Sequence, residues 1–266
     1  MKYEELHDGR KVPVMGMGTA RIGSGDAEKY EAAVRAALDM GYTHIDTAEV
    51  YGDGLSETVI GRVIRDRDRA SLFITSKVSK SHLRHEQVLK AIEGSLERLG
   101  TDYLDLYLIH APDPAVPLEE TMEAMNQLVE TGKTRYIGVS NFSVEQMEEA
   151  YRLTSSILAT NQVHYSLLHR APEQNGVLQY CQEKDVLLTA YSPLEVGELS
   201  RHRQVQEIAQ RLGTTAPTLA LAWLIQKPKV IAIPLSTSEE HLREDMRAVE
   251  LELSSEDIEE LDKITS

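Results

Sequence analysis

LFITSKVSKSHLRHEQVLKAIEGSLERLGTDYLDLYLIH, residues Leu72–His110, carries one complete unit of the fold. Leu72–Lys77 and Leu104–His110 are short runs with the apolar and β-rich character of strands. Between them Val88, Ile92, Leu96 and Leu99 recur at three- and four-residue spacing, the period of a helix, until Gly100 supplies a C-cap. Strand, helix and strand in alternation point to a parallel sheet.

The alternation continues in both directions. Upstream lie strand candidates Met15–Gly18 and Thr43–Asp46, separated by Tyr30, Val34, Ala37, Leu38 and Met40 at helical spacing, with Gly41 as cap. Downstream come Arg135–Val139, Thr160–Val163, Val186–Tyr191 and Val230–Pro234, with a helix over Leu118, Met122, Met125, Leu128 and Val129 closed by Gly132. The last gap is longer and predicts two helices, around Arg203–Leu212 and Pro217–Gln226. Leu6–Val12 reads as a small β-hairpin turning at Asp8-Gly9. Ser254–Lys263 begins with a capping-box pattern, Ser254 to Asp257, and reads as a helix.

Eight such strands fit either an open doubly wound sheet or a closed barrel. Asp46, Lys77, His110, Ser140 with Asn141, Gln162 with His164, and Tyr191 with Ser192 stand at or just past the C-terminal ends of successive strands. An open sheet gathers its ligand groups at one switch point, whereas a barrel collects them from every strand around one mouth, usually within ~250 residues. The expectation is therefore an α/β fold: an (α/β)8 TIM-type barrel with an N-terminal β-hairpin and extra helices near the C-terminus, one domain over residues 1–266. The hairpin is expected to plug the bottom, away from the chemistry.

Composition narrows the class of function. The 266 residues are 41% hydrophobic and 27% charged, which excludes a disordered tail or a fibre. With 28 Lys+Arg against 43 Asp+Glu, the net charge of -15 repels nucleic acid and anionic lipid. No apolar run approaches the ~20 residues of a membrane helix, and the N-terminus lacks the pattern of a signal peptide. The single Cys181 can form neither an intrachain disulfide nor a multi-cysteine zinc site, so a reducing, cytoplasmic setting is expected. His82-Leu83-Arg84-His85-Glu86 reads as a solvated helix start, and the nine histidines show no metal-ligand spacing. Gly16-Met17-Gly18 followed by Gly23 misplaces the third glycine of a Rossmann fingerprint, so a dinucleotide here would lie across loops instead.

Taken singly, the strand-end residues are ambiguous. Asp46 reads equally as a structural acid, Lys77 as a snorkelling lysine, His110 as a satisfied core histidine and Tyr51 as loop packing. As a set they form one device. A lysine ammonium beside a phenol favours the phenolate and lowers its pKa from ~10. Asp46 would pair with Lys77, and a neutral His110 would hold a carbonyl oxygen within reach of Tyr51. That arrangement delivers a proton to an alkoxide forming on a carbonyl carbon.

The segments Gly16–Thr19, Ile45–Gly52, Thr75–Val78, Tyr107–His110, Gly138–Phe142, Asn161-Gln162, Ala190–Leu194 and Ile233-Pro234, in this order, resemble the motifs of the aldo-keto reductase family. The resemblance implies reversible reduction of a small aldehyde or ketone with NADP(H), or also NAD(H), and a catalytic set of Asp46, Tyr51, Lys77 and His110. It also places the nicotinamide carboxamide on Ser140, Asn141 and Gln162, and the ring on Tyr191. Ser192, Leu194, Ser236, Thr237 and His241 would follow the pyrophosphate and adenosine. Expected partners are a small-molecule carbonyl or alcohol, no nucleic acid and no membrane, in a monomer or weak oligomer. A cofactor-binding sensor with little turnover and an aldolase using Lys77 as a Schiff base are the competing readings; multiple turnovers at the reduced-nicotinamide band and borohydride trapping separate them.

The chain also departs from the family. Leu235 and His241 stand where relatives carry a lysine and an arginine for the 2′-phosphate, and Glu239 with Glu240 would repel that group, unless Ser236, Arg243 or backbone amides compensate. Weakened discrimination against NADH follows. Ala20 and Ala111 replace tryptophans, which predicts a wider mouth suited to carbonyls other than small flat aromatic aldehydes. The short segment from Ser192 to Arg201 predicts no long clamp over the pyrophosphate.

Overall fold

A computed structural model describes residues 1–22 and 24–264; Gly23 lies outside them. Strands β1 (Tyr3–Glu5) and β2 (Lys11–Pro13) form the antiparallel hairpin, with Tyr3 opposite Pro13. Its loop is wider than the Asp8-Gly9 pair alone: Leu6 N–H donates to Arg10 O at 2.9 Å, and Gly9 N–H returns to Leu6 O at 2.8 Å.

Eight parallel strands follow in sequential order: β3 (Met17–Gly18), β4 (His44–Asp46), β5 (Phe73–Val78), β6 (Leu104–Ile109), β7 (Thr134–Ser140), β8 (Leu158–His164), β9 (Leu187–Tyr191) and β10 (Val230–Ala232). The seam between first and last closes through the backbone. Ala232 N–H donates to Val14 O and Gly16 N–H to Ala232 O, both at 2.9 Å, and Gly18 N–H reaches Pro234 O at 2.8 Å. At Gly18 an added Cβ would stand 2.8 Å from Ile233 O, so only glycine permits the approach. Met15 joins by a single bridge to Ala232, not as part of β3, and β10 stops before Pro234, which has no N–H to offer a ladder.

Helices α1 (Ala27–Asp39), α2 (Leu55–Ile64), α3 (His85–Leu99), α4 (Leu118–Glu130), α5 (Val144–Leu153), α6 (Ala171–Gln174), α7 (Val177–Glu183), α8 (Arg203–Arg211), α9 (Ala216–Ile225), α10 (Glu239–Arg247) and α11 (Ser255–Asp262) connect or follow the strands. α3 ends as its sequence predicts: Gly100 adopts φ 65°, and its N–H caps Leu96 O at 2.8 Å. The capping box of α11 is present, with Ser254 Oγ accepting from Asp257 N–H and the Asp257 carboxylate accepting from Ser254 N–H. α9 is apolar all round and almost wholly buried, and carries Trp223 in the outer shell.

The hairpin sits at the N-terminal ends of the strands, as expected. Arg10 approaches Asp105 near the start of β6, Tyr136 Oη donates to Asp8 at 2.6 Å, and Lys229, just before β10, donates to Glu5 O at 2.7 Å. The opposite, C-terminal mouth is left open. No helix among the described residues is long and apolar enough to cross a membrane.

Candidate active site

Asp46 ends β4 and Lys77 is the penultimate residue of β5, which runs one residue further than the sequence suggested. The neighbouring strands bring the two together with essentially no exposure, Lys77 at 0% and Asp46 at 2%. The Lys77 ammonium donates to Asp46 Oδ1 at 2.5 Å, to Thr47 O at 2.8 Å and to Tyr51 Oη at 3.5 Å, so every N–H has a destination. Burial alone would pull the Lys77 pKa down. The Asp46 carboxylate, helped by Tyr51, outweighs it, and the net shift is upward: the lysine stays charged.

Tyr51 sits in the tight connection from β4 to α2. Gly52 follows at φ 59°, and the Tyr51 carbonyl accepts from Ser56 N–H at 3.2 Å. His110, the first residue past β6, meets the Tyr51 ring edge to face, with centroids 5.6 Å apart and planes at 82°. Burial, reinforced by the Lys77 charge, lowers the His110 pKa to about 4, so the imidazole is neutral near pH 7.

Ser140 ends β7 and donates its hydroxyl to Gln162 O at 2.8 Å. Asn141 turns the chain at φ 62°, a conformation asparagine tolerates. Its Nδ2 donates to Ser140 Oγ and His110 O, and its Oδ1 accepts from Tyr191 Oη at 3.1 Å. Both Asn141 N–H groups are thus committed inside the protein, and only acceptor capacity remains for a ligand. Gln162, within β8, donates Nε2 to the second oxygen of Asp46 at 2.8 Å. Sequence reasoning gave Gln162 no link to Asp46; the two are 116 residues apart and only the closed barrel joins them.

These side chains open onto a cleft of about 940 Å³, lined by Asp46, Tyr51, His110, Ser140, Asn141, Gln162 and Tyr191. The same cleft is lined by Ser192, Leu194, Ser236 and His241, while Thr237 is not among its lining residues. Ser236 caps its own turn by accepting from Ser238 N–H at 3.1 Å, and α10 starts one residue after Ser238. Arg243, the suggested compensating cation, instead pairs with Glu239 at 3.2 Å and does not line the cleft. Leu235 and Ala20 line it; Ala111 does not.

Several lining residues escaped the sequence reading: Arg21 beyond β3, Thr214–Pro217 at the start of α9, and Glu244 with Asp245 on α10. The last pair was in principle legible, because positions three and four after His241 share its helix face. Burial, with Glu244 adding to it, raises the Asp245 carboxyl to about 7.

A dinucleotide fits these residues. The cleft volume is at the upper end of the ~300–1,000 Å³ of cofactor sites. Gln162 retains an amide oxygen and an N–H, Asn141 retains acceptor capacity, and Tyr191 presents a flat ring.

A parallel barrel that sets a phenol, a charged lysine and a neutral imidazole over such a cleft defines an oxidoreductase-type site for carbonyl compounds. The model of the "Aldo/keto reductase family" matches residues 14–266. The chain is 38% identical to the methylglyoxal reductase YeaE of Escherichia coli K12 (95% of this chain, 90% of the relative) and 35% identical to the glyoxal reductase of Bacillus subtilis 168 (98% and 91%). Its structure superposes on the thermostable aldo-keto reductase Tm1743, crystallised with the inhibitor epalrestat, with a TM-score of 0.94 at 44% identity (98% and 99% covered). An aldo/keto reductase from Klebsiella pneumoniae, crystallised with NADP and acetate, gives 0.91 at 39% identity (98% and 94%). The chain belongs to the aldo-keto reductase family. It is an NAD(P)H-dependent reductase of carbonyl compounds, and NADP(H) is the cofactor its family uses.

Proposed function

We propose that Tyr51 is the proton donor of this reductase and that its substrates are small aldehydes, including the 2-oxoaldehyde class suggested by the names of the methylglyoxal and glyoxal reductases. The observation that carries the assignment is the fully buried Lys77 ammonium, held by Asp46 at 2.5 Å and directed at Tyr51 Oη at 3.5 Å on the cleft wall. A nicotinamide held in the cleft would supply the hydride for the carbonyl carbon. Tyr51 hands its proton to the carbonyl oxygen as negative charge builds there, and the Lys77 charge stabilises the phenolate left behind. Asp46 keeps Lys77 charged and in place. His110, neutral, can donate one ring N–H to the same oxygen and fix its position. Ser140, Asn141, Gln162 and Tyr191 hold the nicotinamide end, and Ser192, Leu194, Ser236 and His241 border the remainder of the dinucleotide.

Two finer readings accompany this. The end of the cleft built by Leu235, His241, Glu244 and Asp245 contains no lysine or arginine from that stretch, which supports weak selection for the 2′-phosphate and use of NADH beside NADPH. The lone Cys181 is buried and its thiol is pushed up to about 12 by burial, which suits a reducing, cytoplasmic setting.

The deciding experiment is Tyr51→Phe, assayed by steady-state reduction of methylglyoxal and by cofactor titration. The expected outcome is a fall in kcat of about 100-fold or more, the usual worth of a general acid, with NADPH affinity within about twofold. Undiminished turnover would remove Tyr51 from the mechanism.

A further inference from the structure

Beside the catalytic cleft, two histidines and a glutamate that the proposed reaction does not use form a compact cluster. His164 ends β8 and His169 lies in the following loop; their rings stack almost face to face, 3.9 Å between centroids at 9°. The His164 ring is also nearly parallel to that of Tyr191, with centroids 5.5 Å apart and planes at 12°. Tyr191 is among the residues that line the cleft and His164 is not.

The arrangement is held in place by its surroundings. Ser166 Oγ accepts from Leu168 N–H at 3.1 Å and His169 N–H at 2.8 Å, folding the turn that lays His169 on His164. Glu195 Oε1 is shared by His164 Nε2 at 2.9 Å and the Ser166 hydroxyl at 2.5 Å. Glu195 itself adopts φ 47°, an uncommon conformation for a residue with a side chain, and persists in it where the surroundings over-determine the backbone. It begins the two short turns, Glu195–Gly197 and Leu199–Arg201, whose Gly197 and Ser200 line the cleft. His164 therefore meets two things at once: the Tyr191 ring and, through Glu195, the tether of the segment bordering the cofactor cleft.

We propose that His164 is a positioning residue of the reductase, setting the plane of Tyr191 by stacking and holding the 195–201 segment against the cleft through Glu195. This rests on the reading that the nicotinamide stacks on Tyr191. A flat floor presents one face of the ring to the substrate, so a tilting floor costs facial selectivity of hydride transfer, and a loosened border costs cofactor affinity. The two effects travel through different atoms of one imidazole and are separable by substitution.

The test uses His164→Ala, His164→Phe and His164→Gln, with Tyr191→Leu as the reference. NADPH Kd is read from cofactor fluorescence and facial selectivity from deuterium transfer with stereospecifically labelled cofactor; Tm is recorded for each variant. H164A is expected to raise Kd about fivefold and to transfer a measurable fraction of deuterium from the wrong face. H164F, which keeps the stack and loses the bond to Glu195, restores selectivity but not affinity; H164Q, which can keep the bond and loses the stack, does the reverse. If Y191L loses affinity and selectivity while all three His164 variants match the parent within twofold, the positioning role is overturned and the Tyr191 floor stands. If Y191L also matches the parent, the floor reading fails and His164 falls with it. Because the His164 side chain is already 31% exposed, its truncation leaves the barrel core intact.

Discussion

The Lys77–Asp46 pair is almost wholly shielded from water, and this governs what substitution does there. Removing one member strands the other in the interior, which typically costs 3–5 kcal/mol. Asp46→Ala is therefore expected to lower the unfolding free energy by about 3–5 kcal/mol, because it leaves the Lys77 ammonium with only Thr47 O and Tyr51 Oη as partners. Asp46→Asn, which keeps the shape but replaces one of the two acceptor oxygens by an N–H donor, should lose less stability yet still lose most of its activity. Denaturant titration beside kcat separates the two; equal stability losses would show that the lost charge alone, with no contribution from packing, dominates at Asp46. His110 also makes a prediction at this scale. With its pKa held near 4, it contributes no inflection to the kcat/KM profile between pH 6 and 8. An inflection in that window that vanishes in His110→Gln would contradict the neutral-imidazole role. The identities of these residues were plain in the sequence, since each stands at a strand end. Their separations were not, because contacts between positions 26 to 116 apart depend on how the barrel closes.

At the scale of the element, β4 carries a second buried imidazole. His44 is 1% exposed, bonded through Nε2 to Thr75 Oγ1 at 3.2 Å and set edge to face on Phe73. Burial lowers its pKa to about 4, against 6.5 for the free group. The unfolded chain therefore binds a proton at this residue between those values while the native state does not, and stability falls as pH drops from 6.5 toward 4. At 1.36 kcal/mol for each pK unit, the loss is on the order of 3 kcal/mol. His44→Gln should flatten the acid limb of a stability–pH curve measured in urea; an unchanged limb would place the acid sensitivity elsewhere. The sequence showed β4 as a strand but marked His44 only as part of its run, because nothing local reveals which strand face turns inward. Helix ends were more legible: Gly100 and the Ser254–Asp257 box act through neighbouring residues, so local order sufficed.

Across the whole molecule, the cleft runs from Asp46, Tyr51 and His110 near the strand ends to α10, where Glu244 and Asp245 line it. Asp245, raised to about 7, becomes anionic as pH climbs through neutrality. The Kd of NADPH relative to NADH should accordingly rise between pH 6 and 8 by about 3- to 10-fold, the scale of a screened charge pair at several ångströms. Asp245→Asn should abolish that dependence. At pH 7 the preference for NADPH in kcat/KM should remain below roughly 1000-fold, about 4 kcal/mol. Leu235→Lys with His241→Arg should increase it at least about tenfold by adding charge-assisted bonds to the 2′-phosphate. Steady-state kinetics with both cofactors decide these points, and a larger starting preference would show that other groups grip the phosphate.

The order of strands and helices, and the residue types placed at the strand ends, were determined by the sequence itself. Hydrophobic periodicity and caps are local, and a parallel barrel delivers every strand end to the same mouth. Tertiary structure alone decided which groups meet. The Gln162–Asp46 bond, the stack of Tyr191 on His164, the acidic lining from α10 and the lowered pKa values of His44 and His110 all arise through space. They depend on burial and on contacts made only when distant segments close into one barrel.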